Sequence, residues 1–219
     1  MAQRGSYAKG VAKREEILEA ALGVIAREGY RGASVKVIAD TVGLSQAGLL
    51  HYFDSKDELF TEILRKRDEV DLAHYGSDAL MDASPTALRD GYVRVIRHNC
   101  EVPGLVQLFS RLAVDGADPE HPAHAYFLGR GASLRKTFTA VLARQQAMGL
   151  LTDRIDPDTL ARIFQAVADG LQVQWMLDPQ VDMPAIIDAL FDALSPTAPS
   201  PTALAPVPAP AERKDPDGF

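Results

Sequence analysis

With 219 residues, 47% apolar and 24% charged side chains, the chain can fill one large or two small globular domains with a substantial core. No apolar run approaches the roughly 18 residues that span a bilayer, the start MAQRGSYAKG lacks the apolar stretch of a secretory signal, and a lone cysteine, Cys100, precludes an internal disulfide. This excludes membrane-spanning and disulfide-stapled classes and fits a cytosolic protein. The formal net charge of −7 is uneven: residues 1–53 carry seven basic and five acidic side chains, so a polyanion's field turns this mildly basic end towards itself.

Helical periodicity runs through nearly every segment, and no alternating strand pattern persists. Residues 1–12 precede the first apolar stripe and are expected to form a flexible arm. From Lys13, the apolar residues Ile17, Leu18, Ala21, Leu22 and Ile25 line one helical face until Gly29 stops it. Ser34 caps a second helix that turns Val35, Ile38 and Ala39 inward and ends at Gly43. Ser45 caps a third, with Leu49 and Phe53 aimed at the same centre. Helices this short are marginal alone, so the three must share one core.

Ser55 and Glu58 then form a capping-box pattern, and Leu59, Phe60, Ile63 and Leu64 carry a longer helix from Lys56 to about His74. At about 1.5 Å per residue it is a strut roughly 30 Å long. Ser84-Pro85 and Asp156-Pro157 each set a cap residue before a proline and mark further starts. Helices are expected near 86–100, 103–115, 123–149, 158–177 and 184–194, making an all-α chain of about nine helices.

Gly170 falls inside an apolar helix face, where glycine costs about 1 kcal/mol relative to alanine. A close helix crossing would offset that cost. A second copy of the chain is the expected partner, with a crossing inside the protomer as the alternative. The interface would use Val167, Gly170 and Leu171 together with Ile187, Leu190, Phe191 and Leu194. Residues 195–219 hold seven of the 14 prolines and few large apolar groups, the composition of a disordered tail.

Two helices joined by a tight glycine turn make a helix-turn-helix, whose second helix enters the major groove. Here the residues carry a family resemblance. ILEAALGVIAREGY, then ASVKVIADTVGLS, then His51-Tyr52-Phe53, Ser55-Lys56 and Glu58-Leu59 form an ordered series that resembles the N-terminal domain of TetR-family transcriptional regulators. The stretch DGLQVQWMLDP, residues 169–179, resembles C-terminal domains of that family.

With Leu49 and Phe53 inside, Gln46, Ala47, Gly48, Leu50 and His51 remain on the groove side, next to the capping Ser45. Gln46 suits an adenine edge, and Ala47 and Leu50 suit a thymine methyl. Tyr52, Lys56, Lys36 and the amides behind Ser34 suit phosphate oxygens. The resemblance implies the same phosphate role for Ser34, Tyr52 and Lys56. Many relatives carry Gly-Thr-Leu-Tyr where this chain has Ala47-Gly48-Leu49-Leu50, so base preferences do not transfer.

The resemblance implies a division into a helix-turn-helix domain at 13–55 and a helical ligand-binding and dimerisation domain at 56–194. It further implies a homodimer on a near-palindromic duplex operator, with half-sites about 34–36 Å apart or a multiple of that spacing. A small-molecule effector would release this repressor. Candidate pocket residues are aromatic or polar groups on otherwise apolar faces: Tyr92, His98, Asn99, Phe109, Tyr126, Gln172 and Trp175.

Asp115, Asp118, Glu120, His121 and His124 sit in the Pro-containing connector DGADPEHPAH, which reads as a solvated loop and not as a metal site. No phosphate loop, nucleophile elbow or zinc-finger spacing occurs, so neither an enzyme nor a cofactor is expected. The rival is a helical ligand-binding or adaptor protein whose head no longer binds DNA.

Overall fold

The computed structural model describes residues 2–75 and 86–196. These residues are all-α, with α1 Ala2–Gly32, α2 Val35–Thr41, α3 Gln46–Leu50, α4 Lys56–Tyr75, α5 Ala87–Glu101, α6 Pro103–Asp115, α7 Ala123–Ala147, α8 Pro157–Leu177 and α9 Met183–Leu194. The start expected at Ser84-Pro85 and residues 197–219 of the Pro-rich tail lie outside the described residues.

Helix α1 begins at Ala2, so the segment expected as a flexible arm is helical. Ala2, Ala8, Lys9, Ala12 and Lys13 are strong helix formers, and once Ile17–Ile25 is pinned in the core, extension towards the amino terminus adds one bond per residue without a new nucleus. Gly29 breaks the helix as expected: its φ of 73° and ψ of 169° are open to glycine and strained for other residues. A final short turn follows to Gly32.

The core has two hydrophobic clusters. The first joins Ile17, Ile25, Ile38, Leu49 and Phe53 of the head to Leu59, Phe60 and Ile63 of α4, to Leu105, Leu108 and Phe109 of α6, and to Tyr126 of α7. The second joins α5, the later part of α7, α8 and α9 around Phe164, Leu142, Leu160, Met183 and Ile187. Apolar packing therefore does not divide at residue 55. The seam falls inside the body instead, between the α1–α4–α6 unit and the α5–α8–α9 unit.

Helix α6 reaches the head because it lies along α1. The approach is close enough to demand glycine at its start: a Cβ on Gly104 would sit 2.4 Å from the Ile25 carbonyl oxygen and 2.8 Å from Gly29 Cα. Pro103 supplies the first helical position of α6, where its missing N–H costs nothing. The head is thus held by two supports, α4 continuing from it and α6 crossing beneath it.

Candidate nucleic-acid interface

The turn between α2 and α3 follows from a few local bonds. The Ser34 hydroxyl accepts from Val37 N at 3.2 Å and starts α2. At the other end, Leu44 N donates to Ala39 O and Gly43 N to Asp40 O, the paired bonds of a Schellman stop. That motif needs a left-handed residue, and Gly43 supplies it with φ 68°. Two residues later Ser45 accepts from Gly48 N at 3.0 Å and starts α3.

The following turn is braced in the same way. Ser55 Oγ accepts from Glu58 N at 2.9 Å. The Glu58 carboxylate reaches back to Asp54 N, one residue before the cap, so the capping box closes with a one-residue offset.

Only Leu49 of the five α3 residues is buried. Gln46, Ala47 and His51 are exposed, and so are Ser34, Lys36, Ser45 and Lys56, which flank them. Gly48 is half-buried, and a Cβ added there would lie 3.1 Å from the Ser45 hydroxyl oxygen. Leu50 and Tyr52 are half-buried and pack on the head core, so each has only part of its surface free for a groove or a phosphate. Lys56 stands with its ammonium 5.6 Å from the centroid of the Phe60 ring.

Residues 17–63 match the model of bacterial regulatory proteins of the tetR family, and residues 124–196 match that of the BetI-type transcriptional repressor C-terminal domain. The chain belongs to the TetR family. Two relatives are the repressor AcnR of Corynebacterium diphtheriae, 28% identical with 72% of this chain and 78% of its own covered, and the repressor KstR2 of Mycobacterium tuberculosis, 27% identical with 74% and 80% covered.

Solved TetR-type folds superpose over most of the length. A TetR-family regulator of Agrobacterium tumefaciens gives a TM-score of 0.66 at 23% identity, covering 85% of this chain and 99% of its own. A regulator of Saccharomonospora viridis in complex with choline gives 0.65 at 22% identity, covering 84% and 95%. This TetR-family protein is accordingly a DNA-binding transcriptional regulator and not an enzyme.

In this TetR-family chain the seven pocket candidates are spread over both hydrophobic clusters and the seam between them. Tyr92 is half-buried against the second cluster: its hydroxyl donates to Phe164 O at 3.0 Å, and its ring lies 5.2 Å from Phe138 and 5.5 Å from Phe164 between centroids. Gln172 is buried and Trp175 half-buried against the second cluster. Phe109 packs in the first cluster on Phe127, with the Arg130 guanidinium 4.9 Å above its ring. Clefts of about 570 Å³ between α5 and α9 and about 420 Å³ along α7 are lined by none of the seven.

His98, Asn99 and Tyr126 do converge, on the polar seam between the two clusters. Arg67 of α4 donates to Asn99 Oδ1 at 2.5 Å, while its Nε faces Asp71 at 3.4 Å without completing a hydrogen bond. His98 Nε2 lies 3.5 Å from Asp71. Asp68 of α4 accepts from the Tyr126 hydroxyl at 2.6 Å and from Arg130 at 2.9 Å.

Burial holds the Arg67 guanidinium below its ordinary value, opposed by Asp71. Burial, reinforced by Asp68, raises the Tyr126 phenol. Burial also raises the Asp169 carboxyl, against the pull of Arg130. The strut helix is thus fastened to α5 and α7 by charged hydrogen bonds in a sparsely solvated place, where each is worth more than at the surface.

The dimer candidates divide by exposure. Leu171, Ile187, Phe191 and Leu194 are spent inside the protomer, whereas Val167, Gly170 and Leu190 are half-buried. A Cβ added to Gly170 meets nothing within 4 Å, so no crossing inside the protomer requires that glycine. The large exposed apolar residues of these two helices, Val173, Leu177 and Ile186, were not among the candidates.

Two α1 side chains that the sequence offers only as positive charge also belong to the site's frame. Lys13 donates to Val42 O at 3.0 Å across the reading turn, and Arg14 bonds the Tyr52 carbonyl. Their signal in the sequence is adjacency: both precede the apolar stripe of α1 by one turn. In the 115–124 connector His121 Nδ1 accepts from Ala123 N while its Nε2 lies 3.8 Å from Asp57 of α4, and His124 Nδ1 donates to Gly116 O. Among the described residues no group of three His, Cys, Asp or Glu is arranged to hold a metal ion. No helix among them is long and apolar enough to cross a membrane.

Proposed function

We propose that this regulator is a cytoplasmic dimeric repressor that reads a near-palindromic operator with Gln46, Ala47, Gly48, Leu50 and His51, and holds the backbone with Ser34, Lys36, Ser45, Tyr52 and Lys56. The observation that carries this reading is the α3 surface. A five-residue helix that buries one side chain contributes little to the core, yet three caps and a Schellman turn fix its direction. Such precision has a use when the opposite face meets a rigid partner, and the major groove admits a helix of this width.

Dimerisation is supported by the face of α8 and α9, where Val173 is 46%, Leu177 83% and Ile186 42% exposed around the uncovered Gly170. A small residue between apolar neighbours lets a second copy approach closely, and two heads supply the contacts one cannot. The polar seam supports an effector-responsive state. A small molecule that binds Asn99, Tyr126 or Arg130 better when they leave α4 would shift the strut, by no more than its difference in affinity for the two states.

The test is selection of bound duplexes from a randomised pool, followed by footprinting. Enriched sequences with twofold symmetry, and an affinity falling steeply with salt, are expected. A pool that stays random, with flat anisotropy titrations at low salt, overturns the reading.

A further inference from the structure

We infer that Arg14, on α1 and outside the reading motif, is the residue that positions the reading helix for sequence discrimination. This rests on α3 being the DNA-reading element. One guanidinium engages three separate pieces of the head. It donates to the main-chain oxygen of Tyr52, immediately beyond α3. It donates to Glu58 Oε1 at 3.1 Å and lies 3.3 Å from Glu62 Oε2, both on α4. Its carbon sits 4.3 Å from the centroid of the Phe53 ring.

Glu58 carries the connection onward, because its second oxygen accepts from Asp54 N. Arg14, Glu58 and the main chain of Tyr52 and Asp54 therefore close a ring around the link from α3 to α4. A helix of five residues has too few internal bonds to keep its own tilt, so its direction is set at its ends. Ser45 fixes the amino end. Leu49 and Phe53 anchor the helix by apolar contact, which is non-directional. Beyond the main-chain bonds of the following turn, the Arg14 clamp supplies a directional restraint at the carboxyl end.

Arginine suits the task through its planar fork and its face, which satisfy the carbonyl and the carboxylates while stacking on Phe53. Lysine, a point charge on a flexible stem, satisfies one of these at a time. The guanidinium is spent inward on these partners, so Arg14 acts through α3 and is a positioning residue and not a phosphate contact.

The experiment uses the full chain, a duplex recovered by selection and a mixed-sequence duplex, with the wild type establishing that discrimination exists. Absence of binding by the wild type would count against the function and not against this inference. Arg14→Ala, Arg14→Lys and Glu58→Gln are compared by anisotropy across a salt series, with amide exchange read over residues 46–54. Expected is a loss of about 10- to 100-fold on the selected duplex, in keeping with loss of charged hydrogen bonds, with the mixed duplex held within about twofold. Arg14→Lys should recover only part of this loss, and exchange should rise at 50–54.

A parallel loss on both duplexes, with the salt slope falling by about 0.9, makes Arg14 a phosphate contact and overturns the inference. Unchanged discrimination in all three variants overturns it too. If Arg14→Ala fails to fold, Arg14→Lys and Glu58→Gln decide the matter, since the first keeps the charge and the second keeps an acceptor.

Discussion

Replacing Gly104 by alanine tests whether the head is seated on the body by the α1–α6 crossing. The new Cβ would lie 2.4 Å from Ile25 O, 2.8 Å from Gly29 Cα and 3.1 Å from Tyr30 N, all main-chain atoms, so no side chain can swing aside. Ordinary contact begins at 3.4 Å, and α6 must retreat from α1 by about 1 Å to restore it. Overpacking of this kind costs about 1–3 kcal/mol, and contact with three rigid atoms argues for the upper end. Alanine regains at most about 1 kcal/mol of helix propensity.

A net loss of about 2 kcal/mol lowers Tm by about 4–8 °C for a chain of this size, as read by calorimetry or circular dichroism. Operator affinity should fall with it, because the retreat tilts the head against the strut. Gly129→Ala is the matched control: its Cβ meets nothing within 4 Å, so only the propensity gain remains and Tm should hold or rise. A Gly104→Ala protein as stable as its Gly129→Ala counterpart would refute the argument that this crossing fastens head to body.

Gln46→Ala should relax preference at particular base pairs by about 1–3 kcal/mol, whereas Lys56→Ala should weaken binding to every sequence and reduce the salt slope by about 0.9. An unchanged selected sequence for Gln46→Ala would remove it from the base contacts. Val173→Glu sets a charge on the uncovered face of α8 and should shift sedimentation towards the monomer, with the protomer still folded; a persistent dimer would place the interface elsewhere. Asp169→Asn should raise Tm at neutral pH. Burial lifts the native carboxyl above its ordinary value, so the folded state is favoured by the protonated form and loses that advantage as pH rises through the native pKa. The gain should therefore shrink as pH falls to the ordinary carboxylate range, and a pH-independent difference would argue against the stated cause.

Most of the head was legible from residue types alone, because its bonds are local. Ser34, Ser45 and Ser55 cap the helices they precede, Gly29 and Gly43 adopt positive φ where their helices stop, and the predicted stripe residues Ile17, Ile38, Leu49 and Ile63 are fully buried. Capping and helix period operate within four residues, so a linear pattern carries them. The body's helices were legible for the same reason, down to the Asp156-Pro157 start of α8, where Asp156 accepts from Thr159 N at 3.0 Å.

What periodicity could not decide was which apolar face meets which. Leu171 and Phe191 satisfy the pattern of an interface as well as that of a core, and they are buried in the protomer, while Val173 and Ile186 face outward. Tyr92 is a pocket candidate in sequence, and its packing among the rings of Phe164 and Phe191 has no sequence signal. The Arg14 clamp joins residues 38 and 44 positions apart, and the Arg67–Asn99 bond 32. Local bonds are written in neighbouring residues, but partners across such separations are chosen only when the helices pack, and the seam that ties the strut to the body exists in that packing alone.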